Sequence, residues 1–164
     1  MKKKLLDKIY KKIVDQSKKT FFFDKILVPK SFESRLEVFQ LNLIIILWYL
    51  KKKDSGKKNS FNLIQIFIRD LEYAIRELGV SDLSVGRKIR TLTENFYGRL
   101  YAYTECFEDN KEKKLEEKFK KNFKFKGIDY KKLLNYAEIN IDYFKTLKIL
   151  DFQDLDFEYK DNKI

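Results

Sequence analysis

Apolar residues recur along this chain at steps of three and four, the spacing that lines one face of an α-helix. The clearest run is Val85, Ile89, Leu92, Phe96, Leu100, Tyr103 and Phe107, with steps of 4, 3, 4, 4, 3 and 4. At about 100° per residue these side chains share an arc of roughly 80°. Upstream, Ile64, Phe67, Ile68, Leu71, Ile75 and Leu78 repeat in the same way, and Gly79 can then end the helix in the left-handed conformation. Near the start, Leu5, Leu6, Ile9, Tyr10 and Ile13 lie opposite Lys8, Lys11 and Lys12. After an acidic turn at Glu108-Asp109-Asn110, Leu115, Phe119 and Phe123 mark a shorter helix broken by Gly127. Leu133, Leu134, Ala137, Ile141 and Phe144 mark a last one, which Asp129 can cap.

One segment is apolar on every side. From Val38 to Leu50 only Gln40 and Asn42 are polar, so this helix belongs inside protein or lipid. Its thirteen residues reach about 20 Å, whereas a bilayer crossing takes roughly 20 residues. It is predicted to be the central core helix, opened by the capping-box pattern Ser34-Arg35-Leu36-Glu37. Before it, Phe21-Phe22-Phe23 and Leu27-Val28-Pro29 read as an extended connector, since proline biases its predecessor away from helix. Lys51 to Ser60 reads as a polar loop, and the tail, alternating Leu155, Phe157 and Tyr159 with acids, as a short strand or a disordered strip.

The predicted fold is all-α, a single compact domain of five to seven helices. Its expected organisation is a basic amphipathic N-terminal extension over 1–30, a helical domain over 31–148 and an acidic tail over 149–164.

Composition narrows the chemistry. Five glycines and one proline in 164 residues argue against a turn-rich β fold, and 44% hydrophobic residues argue against disorder. Histidine is absent, Cys106 is the single thiol and the single methionine is Met1. The usual general base near neutral pH and the usual zinc, haem and copper ligands are therefore missing. No cofactor, metal or catalytic site is expected, and Cys106 reads as a small buried apolar side chain in a reducing compartment.

The net charge of +11 is uneven. Residues 1–30 carry ten lysines against Asp7, Asp15 and Asp24, residues 51–58 five lysines against Asp54, and residues 149–164 five acids against Lys160 and Lys163. Asp7, Lys8 and Lys11 interrupt any secretory apolar core. The first helix either lies on an anionic membrane surface or docks on its own domain.

Two glycines, Gly86 and Gly98, stand inside the 85–107 helix, each at a cost of about 1 kcal/mol relative to alanine. They mark a close approach, by another helix of the fold or by a partner. Opposite the apolar stripe lie Arg87, Arg90, Glu94, Tyr97 and Tyr101. Tyr97 and Tyr101, four apart and beside Arg90, are of the types that dominate binding hot spots. The same face could equally pack on another helix of the domain.

The stretch GVSDLSVGRKI, followed by ENFYGRLYAY, resembles the ubiquinol–cytochrome c chaperone family. The upstream apolar helix at 36–50, the Leu78-Gly79 helix end and Asn122-Phe123 extend the resemblance over about 34–145. The family-like residues are Gly79, Asp82, Leu83, Val85, Gly86, Lys88, Phe96, Tyr97, Gly98 and Arg99. The chain departs in its lysine richness, around Asn42 and in its longer N-terminal extension. The resemblance implies an all-α fold and a non-enzymatic role: binding newly made cytochrome b and supporting assembly of the cytochrome bc respiratory complex.

The expected partner-binding residues are Asp82, Arg87, Lys88, Arg90, Tyr97, Gly98, Arg99 and Tyr101. Expected partners are cytochrome b or another subunit of that complex, the ribosome as a further contact, and an anionic membrane peripherally, without sequence-specific nucleic acid. The expected location is the cytoplasmic side of a bacterial inner membrane, or the matrix side in a mitochondrion. The alternative is a basic helical adaptor for ribosome, RNA or membrane surface, which salt-dependent RNA binding without a protein client would mark.

Overall fold

The computed structural model describes residues 1–53, 56–109 and 111–161. At its centre runs α3 (Phe32–Lys51), whose residues 40–50 are all buried. Around it pack α1 (Lys3–Ser17), α4 (Gly56–Glu77), α5 (Asp82–Glu108) and α7 (Tyr130–Thr146). The shorter α6 (Glu112–Asn122) lies between α5 and α7. Single-turn helices α2 (Phe21–Asp24) and α8 (Ile149–Gln153) complete the set, and no strand occurs among the described residues. The buried apolar side chains form one continuous core. The all-α domain expected from periodicity is the one that forms.

Helix ends follow local chemistry. Gly79 and Gly127 both adopt φ of +86°, and the Asp129 carboxylate accepts from the Lys132 amide at 3.0 Å. The 85–107 stripe turns inward as predicted, with Val85, Phe96, Tyr103 and Phe107 buried.

Other boundaries differ. The connector is not extended throughout, because Phe21–Asp24 makes a helical turn that buries Phe22 against Tyr136 at 5.0 Å. The cap of α3 lies three residues before the predicted box. Ser31 is the N-cap and its Oγ accepts from the Ser34 amide at 3.3 Å, while the Ser34 hydroxyl donates to Pro29 O at 2.5 Å. Glu37, predicted to close the box, turns into the core instead. The 51–60 loop is shorter than expected, since α4 already begins at Gly56. Asp54 and Ser55 in that loop, Asn110 in the acidic turn and Lys163 in the tail lie outside the described residues.

The tail is neither a paired strand nor a loose strip. It forms α8 and then runs extended, burying Phe157 and Tyr159, with Phe157 stacked on Phe152 at 4.6 Å.

Asn42, the costly residue of the apolar helix, is what joins these pieces. It is fully buried. Its Nδ2 donates to Ser17 Oγ at 3.0 Å, and its Oδ1 accepts from the Tyr136 hydroxyl at 2.6 Å. Its backbone oxygen accepts from the Tyr159 hydroxyl at 2.8 Å. Gln16 Nε2 donates to Tyr136 at 3.1 Å. Asn42 thus ties α3 to α1 and α7 through its side-chain amide and to the tail through its backbone oxygen, and leaves neither side-chain heteroatom unpaired, as burial demands. Burial also pushes the Tyr136 and Tyr159 hydroxyls well above the usual phenol range.

Candidate interaction surface

The α4 and α5 helices form a hairpin across Gly79. Phe67 of α4 meets Phe96 of α5 at 5.0 Å, and Leu71, Ile75 and Val85 bury the rest of the seam. Arg76 fastens the turn by pairing with Glu72 at 3.0 Å and with Asp82. Asp82 is therefore engaged at the tip of the hairpin, although its side chain is exposed.

The outer side of α5 carries a second register. Leu83, Arg87, Arg90, Glu94, Tyr97 and Tyr101 follow one another at steps of 4, 3, 4, 3 and 4. Measured around the helix from Val85, they occupy about 120° to 200°, opposite the buried stripe. Leu83 is 98% exposed, Tyr101 72% and Tyr97 45%. Tyr97 rests edge-on against Phe96 at 5.7 Å, so its ring has a floor and its hydroxyl end faces out.

Gly86 and Gly98 flank this ridge, at about 100° and 220° on the same scale. A Cβ built on either one would meet nothing within 4 Å. Among the described residues no element approaches either glycine, which removes packing within the described fold as their reason.

The structure brings Arg87, Arg90, Tyr97 and Tyr101 together on the ridge, with Gly98 beside it. Lys88 is exposed but sits around the helix, at about 300°. Arg99 points inward and holds Glu37 of α3 in a two-pronged ion pair, Nε to Oε2 at 2.8 Å and Nη2 to Oε1 at 2.5 Å. Both side chains are largely buried. Burial raises the Glu37 carboxyl above its usual range, and the hydrogen bond and charge of Arg99 oppose that rise. Arg99 thus latches α5 to α3.

Two features have no periodic signal in the sequence. Leu83 stands almost free as the first member of the ridge, outside any apolar repeat. A groove of about 850 Å³ opens between α1, α3 and α4, floored by Phe39, Phe67 and Leu71. Lys18, just past the end of α1, and Arg35 of α3 edge it, and Asp70 and Glu77 edge it from α4. Its walls come from three helices far apart in the chain, so no single stretch announces it. A smaller cavity of about 200 Å³ lies beside Cys106, Glu138 and Asp142. Burial pushes the Cys106 thiol up, away from the reactive thiolate, and raises the Glu138 carboxyl, with Glu112 and Asp142 adding to it.

Among the described residues no group of three or more acidic or cysteine side chains is placed to hold a metal ion. None of the described helices is long and apolar enough to cross a membrane.

Comparison with known proteins agrees with the fold. Residues 24–155 match the family model described as Ubiquinol-cytochrome C chaperone. The fold is similar to the crystal structure of the Cbp3 homolog from Brucella abortus, with a TM-score of 0.86 and 21% identity, over 98% of this chain and 91% of that one. No curated protein matches the sequence significantly.

Proposed function

We propose, from the premise that this chain belongs to the ubiquinol-cytochrome C chaperone family, that it holds newly made cytochrome b, or another subunit of the cytochrome bc complex, until that complex assembles. The contact surface in this reading is the outer ridge of α5. The observation that supports it is a surface which the fold itself does not need. Two helix-interior glycines face open space, and between them Leu83, Tyr97 and Tyr101 are held out to solvent beside Arg87 and Arg90. Glycine in a helix lowers stability, and exposed apolar side chains gain nothing from folding. Both are accounted for if a client helix lies along the ridge, since steps of 4 and 3 are those by which two helices mesh and missing Cβ atoms let backbones close in.

The role requires binding energy and no bond-making. Its proposed place is the surface of the energy-transducing membrane, on the cytoplasmic side in a bacterium or the matrix side in a mitochondrion.

The test is affinity capture of the tagged full chain from native membranes, followed by identification of the main co-purifying subunit. Cytochrome b as that subunit, lost in the Tyr97→Ala plus Tyr101→Ala variant, is the expected result. Recovery of ribosomal RNA or ribosomal proteins in its place would favour the basic-adaptor reading.

A further inference from the structure

The fold gathers the two lysine clusters that lie far apart in the sequence. The Met1 ammonium donates to Asn59 Oδ1 at 3.2 Å, which sets the start of α1 against the first turn of α4. Lys3 and Lys4 are thereby brought to the same end of the molecule as Lys57 and Lys58, and all four are exposed. Phe61, one turn beyond Lys57 on the same face of α4, is 58% exposed.

This arrangement runs against the electrostatics of the chain by itself. A helix N-terminus carries partial positive charge and is stabilised by acids and destabilised by cations. Accordingly α3, α5 and α6 each have an acid in the first turn, namely Glu33, Asp82 and Glu112. In α1, α4 and α7 the first turn has no acid and bears lysines; in α7 the acidic N-cap Asp129 offsets them, whereas the starts of α1 and α4 meet each other. A local rule broken twice at one spot, with like charges drawn together, indicates a surface shaped by something outside the chain.

We infer that this lysine end is a docking surface for anionic phospholipid, with Phe61 reaching into the interfacial layer. Three observations select lipid. An exposed aromatic set among lysines is the composition of an interfacial anchor. None of the six arginines, at 35, 69, 76, 87, 90 and 99, lies in α1 or in the first three turns of α4. Arginine forks fix individual phosphates in register, whereas lysines supply compact charge that suits a fluid layer of headgroups. Finally, the contact between Phe67 and Phe96 places Tyr97 beside the middle of α4, about 16 Å along the helix from its start. A chain seated on lipid by its lysine end would hold the α5 ridge from Leu83 to Tyr97 off the headgroups, with Tyr101 nearest to them. The inference stands on charge and exposure, independently of which client the ridge takes.

The test is flotation of the full chain with vesicles of phosphatidylcholine alone, or with one third phosphatidylglycerol, at 0.1 and 1 M salt. The protein should float with the anionic vesicles only, and 1 M salt should release it. Lys3→Glu plus Lys58→Glu should lower vesicle partitioning about a hundredfold or more, since each lysine at an anionic surface is worth roughly fivefold and the reversal doubles the loss. Its melting temperature should stay level or rise, because the new carboxylates suit the helix N-termini. Lys131→Glu plus Lys132→Glu makes the same charge change at the start of α7 and should alter partitioning by no more than about threefold, lying beyond a Debye length of ~10 Å. Phe61→Ala should weaken partitioning without changing its salt dependence. Absence of vesicle binding, equal loss in both charge-reversal pairs, or displacement from vesicles by poly(U) at equal phosphate would each overturn the proposal.

Discussion

Glu37 and Asn42 sit five residues apart on α3, and each is settled by a partner that no local pattern could reveal. Glu37 has the spacing of a capping glutamate, but its partner is Arg99, sixty-two positions on. A buried carboxylate left alone is strongly unfavourable, typically by about 3–5 kcal/mol when one member of a pair is removed. Arg99→Leu should therefore destabilise the fold by roughly that amount at neutral pH. The loss should shrink in acid. With Arg99 gone, the opposition to burial disappears, so the folded-state pKa of Glu37 rises further above its unfolded value. Stability at such a site is present at low pH and is lost as pH climbs through the raised folded value. Urea melts of Arg99→Leu should thus give a smaller deficit near pH 5 than at pH 7. An equal deficit at both would mean that the carboxylate reaches water without Arg99. Asn42 makes the complementary point. Asn42→Leu should cost about 1–3 kcal/mol despite its greater apolarity, since it leaves the Tyr136 O–H without an acceptor in a fully buried site, with Gln16 remaining only as a donor to it.

Helices themselves were legible because burial imposes a period. The inward stripe of α5, the stop at Gly79 and the cap at Asp129 could all be read from spacing and residue type. The outward ridge was legible only in part. Arg87, Arg90, Tyr97 and Tyr101 stood on one face by arithmetic, but whether that face met solvent or another helix depended on where α4 and α6 pack. Arg99, equally basic and two residues from Tyr97, faces the other way. The glycines provide the sharpest experiment at this scale. With open space around both positions, Gly86→Ala plus Gly98→Ala should add up to about 1 kcal/mol of stability per site. Client capture should nevertheless fall, because the new methyl groups stand where a partner backbone would lie. Gain in the melt with capture intact would separate the glycines from function. Tyr97→Ala plus Tyr101→Ala should act in the opposite sense. They should lose binding on the order of 2 kcal/mol or more, with about 1 kcal/mol or less of folding stability, chiefly from the Tyr97 ring resting on Phe96. Phe96→Ala, with its ring fully buried, should lose about 3–5 kcal/mol.

At the scale of the whole molecule the question is whether α1 is an appendage or part of the domain. Sequence alone left that open, because a lysine-backed amphipathic helix suits a membrane surface and a protein core alike. In the fold, α1 contributes Leu6, Ile9, Tyr10 and Ile13 to the core. At roughly 1.5–3 kcal/mol for each large apolar side chain removed from water, these four amount to about 6–12 kcal/mol, an upper estimate. A domain is commonly stable by about 5–15 kcal/mol in total. Removal of residues 1–18 should therefore leave a chain at or beyond the edge of unfolding. It would also uncover α3 and detach Ser17 and Gln16 from Asn42 and Tyr136. The chain reports on this through Trp48, its single tryptophan, buried on α3 and bonded to Glu108 at 2.9 Å. In the full chain, Trp48 fluorescence and helical circular dichroism should melt together in one transition, as expected when α1 and the remaining helices share a core. In the truncated chain both signals should already be lost or melt at much lower temperature. A truncated chain that retains the full-chain transition would make α1 an autonomous extension and leave α3 covered by other means.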